Sequence, residues 1–355
     1  MKVIQVLPNI TYGDGVSNDC LGIYRILKEA GYETAIYAAH IGKNLPSGVI
    51  FPIEKMGAIQ EDDIVIYHLS TGNPLNFSLG GMNGKKILRY HNITPGYFFG
   101  PYNQAAQKEC DYGRAGLRYL VDKVDYCLTD SDYNGSELER CGFQCPIETM
   151  PIALDFKDYD QSPDEELVKK YSDGIKNIIF TGRIAPNKCQ QDVIKAFYFY
   201  KKYYEQDARL FLVGSWNGME TYYNKLLDYT ERLGVKDVYF TGHVPFSHIL
   251  AYYHLADAFV CMSEHEGFCI PLVEAMYFQV PIIAYDSSAV GETLGESGIL
   301  LKEKDALLTA ACVDAVCKEE EKRNWIKIVQ AAQLKRFSIG ESRRKLLEII
   351  ASVSS

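Results

Sequence analysis

Several things are missing from this chain. No apolar run approaches the roughly 18 residues that a membrane-spanning helix needs, so no such helix is expected, while attachment to a membrane surface stays open. The ten cysteines are scattered, with no Cys-x-x-Cys pair. Met1–Leu7 runs straight into a strand pattern and has no form of a secretory leader. The cysteines therefore read as mostly reduced, buried thiols of a cytosolic protein. Positive charge is short: 37 Lys and Arg against 46 Asp and Glu leave a net −9, which argues against a nucleic-acid partner. There is no His-Glu-x-x-His, no Ser/His/Asp constellation and no metal-ligand spacing among the seven histidines, so no metal is expected. Internal repeats and low-complexity tracts are absent.

What is present is a globular chain of 355 residues with 47% apolar side chains, enough for two domains. It centres on Ser263–Met276, Ser-Glu-His-Glu-Gly-Phe-Cys-Ile-Pro-Leu-Val-Glu-Ala-Met. An apolar strand pattern, Ala256–Met262, precedes it, and helical spacing starts at Pro271, a residue suited to a first helical turn. Glu266 then sits in a strand-to-helix loop and Glu274 in the first turn of the helix. Carboxylates accept from hydroxyls and a helix N-terminus favours phosphate, which together suit a nucleotide sugar. The plainer alternative is first-turn acids that merely complement the helix dipole.

In chain order, Lys2–Leu7 is a strand and Thr11–Asp19 a glycine loop. A helix follows from about Cys20 to Ala30. Gly13 and Gly15 would let the backbone approach a ligand, or would simply make a tight capped turn. The Gly-x-Gly-x-x-Gly pattern is incomplete, so a dinucleotide site is poorly supported. Strands at Thr34–Ala38, Ile64–Tyr67, Lys86–Tyr90 and Tyr126–Thr129 alternate with helices, as in parallel βαβ units whose ligands bind at the strands' carboxyl ends. His91 lies at such an end, placed either to donate to a sugar hydroxyl or to satisfy loop carbonyls. The aromatic loop Tyr97–Tyr102 with Arg114 and Arg118 forms either an acceptor surface or a packed loop beside a solvated helix face. Asp130-Ser-Asp132 has the Asp-x-Asp form of some metal-dependent sugar-transfer sites, but beside a helix start it reads as capping.

The polar stretch Pro151–Lys176 reads as the linker, with the second domain's strand pattern beginning near Ile175. After the strand Lys176–Thr181, Gly182-Arg-Ile-Ala-Pro-Asn-Lys188 brings Arg183 and Lys188 to a strand end beside a helix start. These cations suit phosphate, or else pair with surface acids. Further strand ends fall at Gly214-Ser-Trp216 and Gly242-His243. Phe197–Tyr204 reads as a helix with one buried and one exposed face.

Gly182-Arg183 with Lys188, then Glu266-Gly-Phe-Cys-Ile-Pro-Leu-Val-Glu274, then Pro281-Ile-Ile-Ala284, resemble the signature of retaining glycosyltransferases of family four. The likeness covers nearly the whole second domain. In the first domain the Gly13–Gly15 loop and Tyr90-His91-Asn-Ile-Thr-Pro95 carry it more loosely. The resemblance implies an α/β GT-B fold, two Rossmann-like domains facing a central cleft. The domains would span 1–155 and 156–337, with a last helix at about 338–355 crossing back to the first. It implies that Arg183 and Lys188 hold the donor diphosphate, Glu266 the sugar hydroxyls and Glu274 the ribose, with backbone N–H groups of Phe268, Cys269 and Ile270 touching sugar or phosphate. Gly182, Gly214, His243, Gly267 and Leu272 would complete the donor site. His91 would lie under the sugar, and Gly15 would let the first domain close on the phosphate. Cys269 stands where that family often has Gly. The implied reaction is metal-independent hexosyl transfer with retention from GDP-mannose, or next a UDP-hexose, to a glycan or lipid-linked glycan of a surface polysaccharide. It would run in the cytoplasm or at the inner membrane face. A nucleotide-sugar epimerase and a non-catalytic sugar-nucleotide binder are the other classes.

Overall fold

The computed structural model describes residues 1–11 and 13–354. Tyr12, in the first glycine loop, and Ser355 lie outside the described residues. The chain forms two compact units: Met1–Gly96 with Gln107–Asp155 and the segment from Phe337 on, and Tyr97–Ala106 with Phe156–Arg336.

The first unit is built on a parallel sheet of seven strands among the described residues: β1 (Lys2–Ile10), β2 (Glu33–Ile41), β3 (Ile50–Pro52), β4 (Ile64–Leu69), β5 (Lys85–Tyr90), β6 (Tyr126–Thr129) and β7 (Ile147–Thr149). Their spatial order is β3-β2-β1-β4-β5-β6-β7. All six residues of β4 are buried, as expected of a parallel strand covered on both faces. Helix Gly15–Glu29 starts at Asp14, whose carboxylate accepts from the Ser17 N–H at 3.1 Å. It buries Ile23, Ile26 and Leu27, which pack with Leu346, Ile349, Ile350 and Val353 of the last helix, Ile339–Ser354. That packing is why the chain's end belongs to its first unit.

The second unit has a six-stranded parallel sheet: β8 (Lys176–Thr181), β9 (Ala208–Val213), β10 (Val238–Gly242), β11 (Ala258–Cys261), β12 (Ile282–Tyr285) and β13 (Ile299–Leu301), in the order β10-β9-β8-β11-β12-β13. Among the described residues, no helix is long and apolar enough to cross a membrane. Helix Gln190–Tyr203 buries Phe197 and Tyr200 and exposes Tyr203, as its pattern predicts.

Four sequence expectations are corrected here. The polar stretch after Pro151 is not a free linker: the units change at Asp155–Phe156, and Tyr159 packs on Tyr277 and Phe246 while Tyr171 packs on Phe211. Tyr97–Ala106 goes with the second unit, because Tyr102 meets the ring of Tyr222 edge-on and Asn103 donates to the Gly218 carbonyl at 2.7 Å. Gly15 is the first residue of its helix, and only Gly13 of the two glycines has a left-handed backbone, φ +79°. Glu274 is in the second turn of its helix, because Cys269, at φ +73°, starts that helix at Ile270.

Candidate functional site

In the second unit, two loops at strand carboxyl ends are stitched together. The loop after β8 passes Gly182 and Arg183 and ends in a single turn, Pro186–Lys188, before helix Gln190–Tyr203. The loop after β11 runs from Met262 to Cys269 and leads into helix Ile270–Tyr277. Asn187 donates its amide to the His265 carbonyl at 3.0 Å, and the Glu264 N–H donates to the Asn187 carbonyl at 2.8 Å. This clamp sets Lys188 against Glu266: Nζ lies 2.6 and 2.5 Å from the two carboxylate oxygens. Burial disfavours the ammonium, but Glu266 outweighs it, and the Lys188 pKa is raised. The Glu266 N–H is held in turn by Ser288 Oγ at 2.8 Å. Arg183 is exposed, and its guanidinium donates from Nη2 to the Asn217 carbonyl at 3.2 Å. Glu274 accepts from the Tyr253 hydroxyl at 2.8 Å and the Tyr159 hydroxyl at 3.2 Å. Burial raises its pKa, and these donors offset part of that rise. The helix N-terminus at Cys269–Ile270 supplies dipole and amides suited to an anion.

The first unit holds a buried polar network. Arg89, fully buried on β5, donates to Asp19 at 2.8 and 3.1 Å and to the Met150 carbonyl at 2.7 Å, and pairs with Asp130 at 2.8 Å. His91 places Nδ1 3.0 Å from Asp130 and Nε2 2.9 Å from Nδ1 of His68. His68 Nε2 in turn lies 2.9 Å from Gln5 Oε1. Burial opposes the charge of Asp19, but Arg89 overcomes it and brings the carboxyl down to about 2. Burial, then the neighbouring His91, drives His68 well below its ordinary value.

A trehalose-6-phosphate synthase, OtsA, superimposes with a TM-score of 0.76 at 12% identity over 99% of both chains. HepE of Anabaena, solved with UDP and glucose, gives 0.75 at 16% over 99% of this chain and all of that one. Residues 164–332 match the family model for glycosyl transferases group 1. O-antigen chain mannosyltransferase B of Escherichia coli is 25% identical over 301 residues, 82% of this chain and 75% of that protein. A GDP-mannose-dependent alpha-mannosyltransferase of Mycolicibacterium smegmatis is 25% identical over 343 residues, covering 83% and 82%. The fold is that of GT-B glycosyltransferases, and the second unit matches glycosyl transferases group 1 over residues 164–332.

Within the second unit, Lys188 and Glu266 meet directly, with Glu274 and the helix start on the same β11-to-helix segment. Gly267 and Phe268 belong to that loop, whereas Leu272 is fully buried and serves packing. Gly182 and Gly214 end the adjacent strands β8 and β9, and Gly214 bridges Gly242, the neighbour of exposed His243. Arg114, one candidate for an acceptor surface, is tied to Glu137 at 2.5 Å and to the Ile93 carbonyl at 2.8 Å. In Asp130-Ser-Asp132 only Ser131 caps the helix, its Oγ accepting from Asn134; Asp130 serves Arg89 and His91. Both ring nitrogens of His91 are engaged inside the first unit, so its imidazole is not aimed at a ligand hydroxyl in this arrangement. Sequence reasoning missed Gln5, Asp19, His68 and Arg89. Their signal was present: Arg89 and His68 are polar residues in strands otherwise built for full burial.

A β-carbon on Gly214 would lie 2.0 Å from the Gly182 carbonyl oxygen. Gly214→Ala is therefore expected to cost about 1–3 kcal/mol, the usual toll of overpacking, read as a lower urea midpoint. An unchanged midpoint would show that the two strand ends move apart freely.

Proposed function

We propose that this chain is a glycosyltransferase that moves a hexose, with retention, from a nucleoside-diphosphate sugar to a glycan or lipid-linked glycan acceptor of a surface polysaccharide. The Lys188–Glu266 pair beside a helix N-terminus carries this reading. Arg183 and Lys188 would stabilise the departing diphosphate electrostatically, without need of a metal ion. Glu266 would accept from hydroxyls of the sugar and Glu274 from those of the ribose. With no carboxylate assigned as nucleophile, front-face substitution follows, the leaving phosphate helping to deprotonate the acceptor. GDP-mannose is the favoured donor, supported by the two mannosyltransferase relatives, with UDP-hexoses next. The acceptor chemistry favours work in the cytoplasm, at the inner membrane face.

The test is a thermal-shift panel with GDP, UDP, ADP and dTDP, metal-free, on wild type and Arg183→Ala. A ligand at about a hundred times its dissociation constant adds roughly 2.7 kcal/mol. GDP is expected to stabilise wild type most. Arg183→Ala, whose loss severs an exposed hydrogen bond, should fold normally and lose that gain. If no nucleotide raises the melting temperature, the donor site is misassigned.

A further inference from the structure

Cys261 ends β11 and Cys269 caps helix Ile270–Tyr277, so the two cysteines bracket the loop that carries Glu266. Their sulfurs and a Glu266 carboxylate oxygen all lie within 4.8 Å of one another, and all three residues are buried. The Cys261 thiol donates to Ser263 Oγ at 3.4 Å. Cys269 holds φ +73°, a left-handed backbone that glycine adopts at no steric cost. A side chain kept at such a position points to a use for its sulfur.

We propose that Cys261, Cys269 and Glu266 form a binding site for a thiophilic divalent cation of the Zn2+ type. Zinc takes thiolate sulfur at about 2.3 Å and carboxylate oxygen at about 2.0–2.2 Å, so a tetrahedral ion needs these atoms roughly 3.5–3.8 Å apart. The three atoms already lie within 4.8 Å of one another, and ion binding would draw them to that spacing. Binding releases both thiol protons to solvent. Two thiolates and one carboxylate then carry three negative charges, which the divalent ion and the Lys188 ammonium neutralise together. Three protein ligands leave the fourth position open. The ion also draws Glu266 away from Lys188 and makes the enzyme zinc-inhibited; that consequence, unlike the site itself, rests on the donor-site proposal.

The experiment titrates the reduced, chelator-stripped full chain with Cd2+, following thiolate-to-metal charge-transfer absorbance, with Zn2+ as competitor. One equivalent is expected to bind and to be displaced by Zn2+. Cys261→Ser and Cys269→Gly should each weaken binding at least about tenfold. Cys269→Gly also relaxes the backbone, and circular dichroism will show it folded. Cys127→Ser should keep the full signal, although its thiol lies 3.5 Å from that of Cys145. No stoichiometric band in wild type, a band that survives Cys269→Gly, or one lost in Cys127→Ser overturns the proposal. In a second arm, Zn2+ should abolish the thermal stabilisation by GDP; persistence of that stabilisation with the ion bound overturns the inhibition. A metal band with no nucleotide effect even before Zn2+ is added would sink the donor-site reading and leave the metal site standing.

Discussion

Lys188→Met is expected to lower kcat/KM by about 10²–10³, the usual loss when one preorganised electrostatic group is removed from a transition state. The same change strands Glu266. Its side chain is only 8% exposed, and both carboxylate oxygens lose a partner at 2.5–2.6 Å. Breaking a buried pair costs about 3–5 kcal/mol, and Lys188, 21% exposed, places this case near the lower end. Stability and catalysis therefore fall together in the single variant. The double variant Lys188→Met/Glu266→Gln separates them: with neither charge buried, most of the stability should return. Turnover should not, because in the proposed reaction the leaving diphosphate still lacks its cation and the sugar hydroxyls now lack the Glu266 carboxylate. Recovery of turnover together with stability would mean that Lys188 acts only as a structural partner.

Arg89→Met should be the most destabilising of these substitutions, by at least about 3–5 kcal/mol, since it leaves two buried carboxylates, Asp19 and Asp130, without their shared cation. The pH dependence identifies the cause. In wild type, Asp19 is depressed to about 2, below its unfolded value. It therefore contributes stability, roughly 2 kcal/mol, that is complete above the ordinary carboxylate pKa and lost as pH falls from about 4 towards 2. In the variant, burial without a cation pushes the carboxyl the other way, so the folded state takes up protons more readily than the unfolded one. The stability gap between variant and wild type should narrow as pH falls from 7 to 4. Urea unfolding across that range measures it, and a gap that does not change with pH would sink the ion-network explanation. Because the network belongs to the first unit and Lys188 to the second, this loss should appear first in stability rather than in nucleotide binding.

Some of the molecule was legible in the residues alone. Lys176–Thr181 followed by Gly182–Lys188, and the strand before Ser263 followed by helical spacing after Pro271, are local patterns. Periodicity and capping chemistry act over a few residues, so they located β8, β11 and the two loops that bring Lys188 and Glu266 together. The three-residue strands β3, β7 and β13 passed unnoticed, being too short to show a period. Glu274 was read one turn too early, because the left-handed backbone of Cys269, which starts the helix at Ile270, leaves no mark in composition.

By itself, the sequence determined the alternation of strands and helices, the charges at two strand ends and the cysteine within the Glu266 loop. Only the tertiary structure decided what those charges meet. Lys188 and Glu266 are 78 residues apart in the chain and touch because β8 and β11 are neighbours. Gln5, Asp19, His68, Arg89, His91 and Asp130 converge because the order β1-β4-β5-β6 stacks their strand ends beside one helix. A local pattern tells which face of an element is apolar. It cannot tell which distant partner a buried charge will find, and the low-dielectric interior makes that partner decisive.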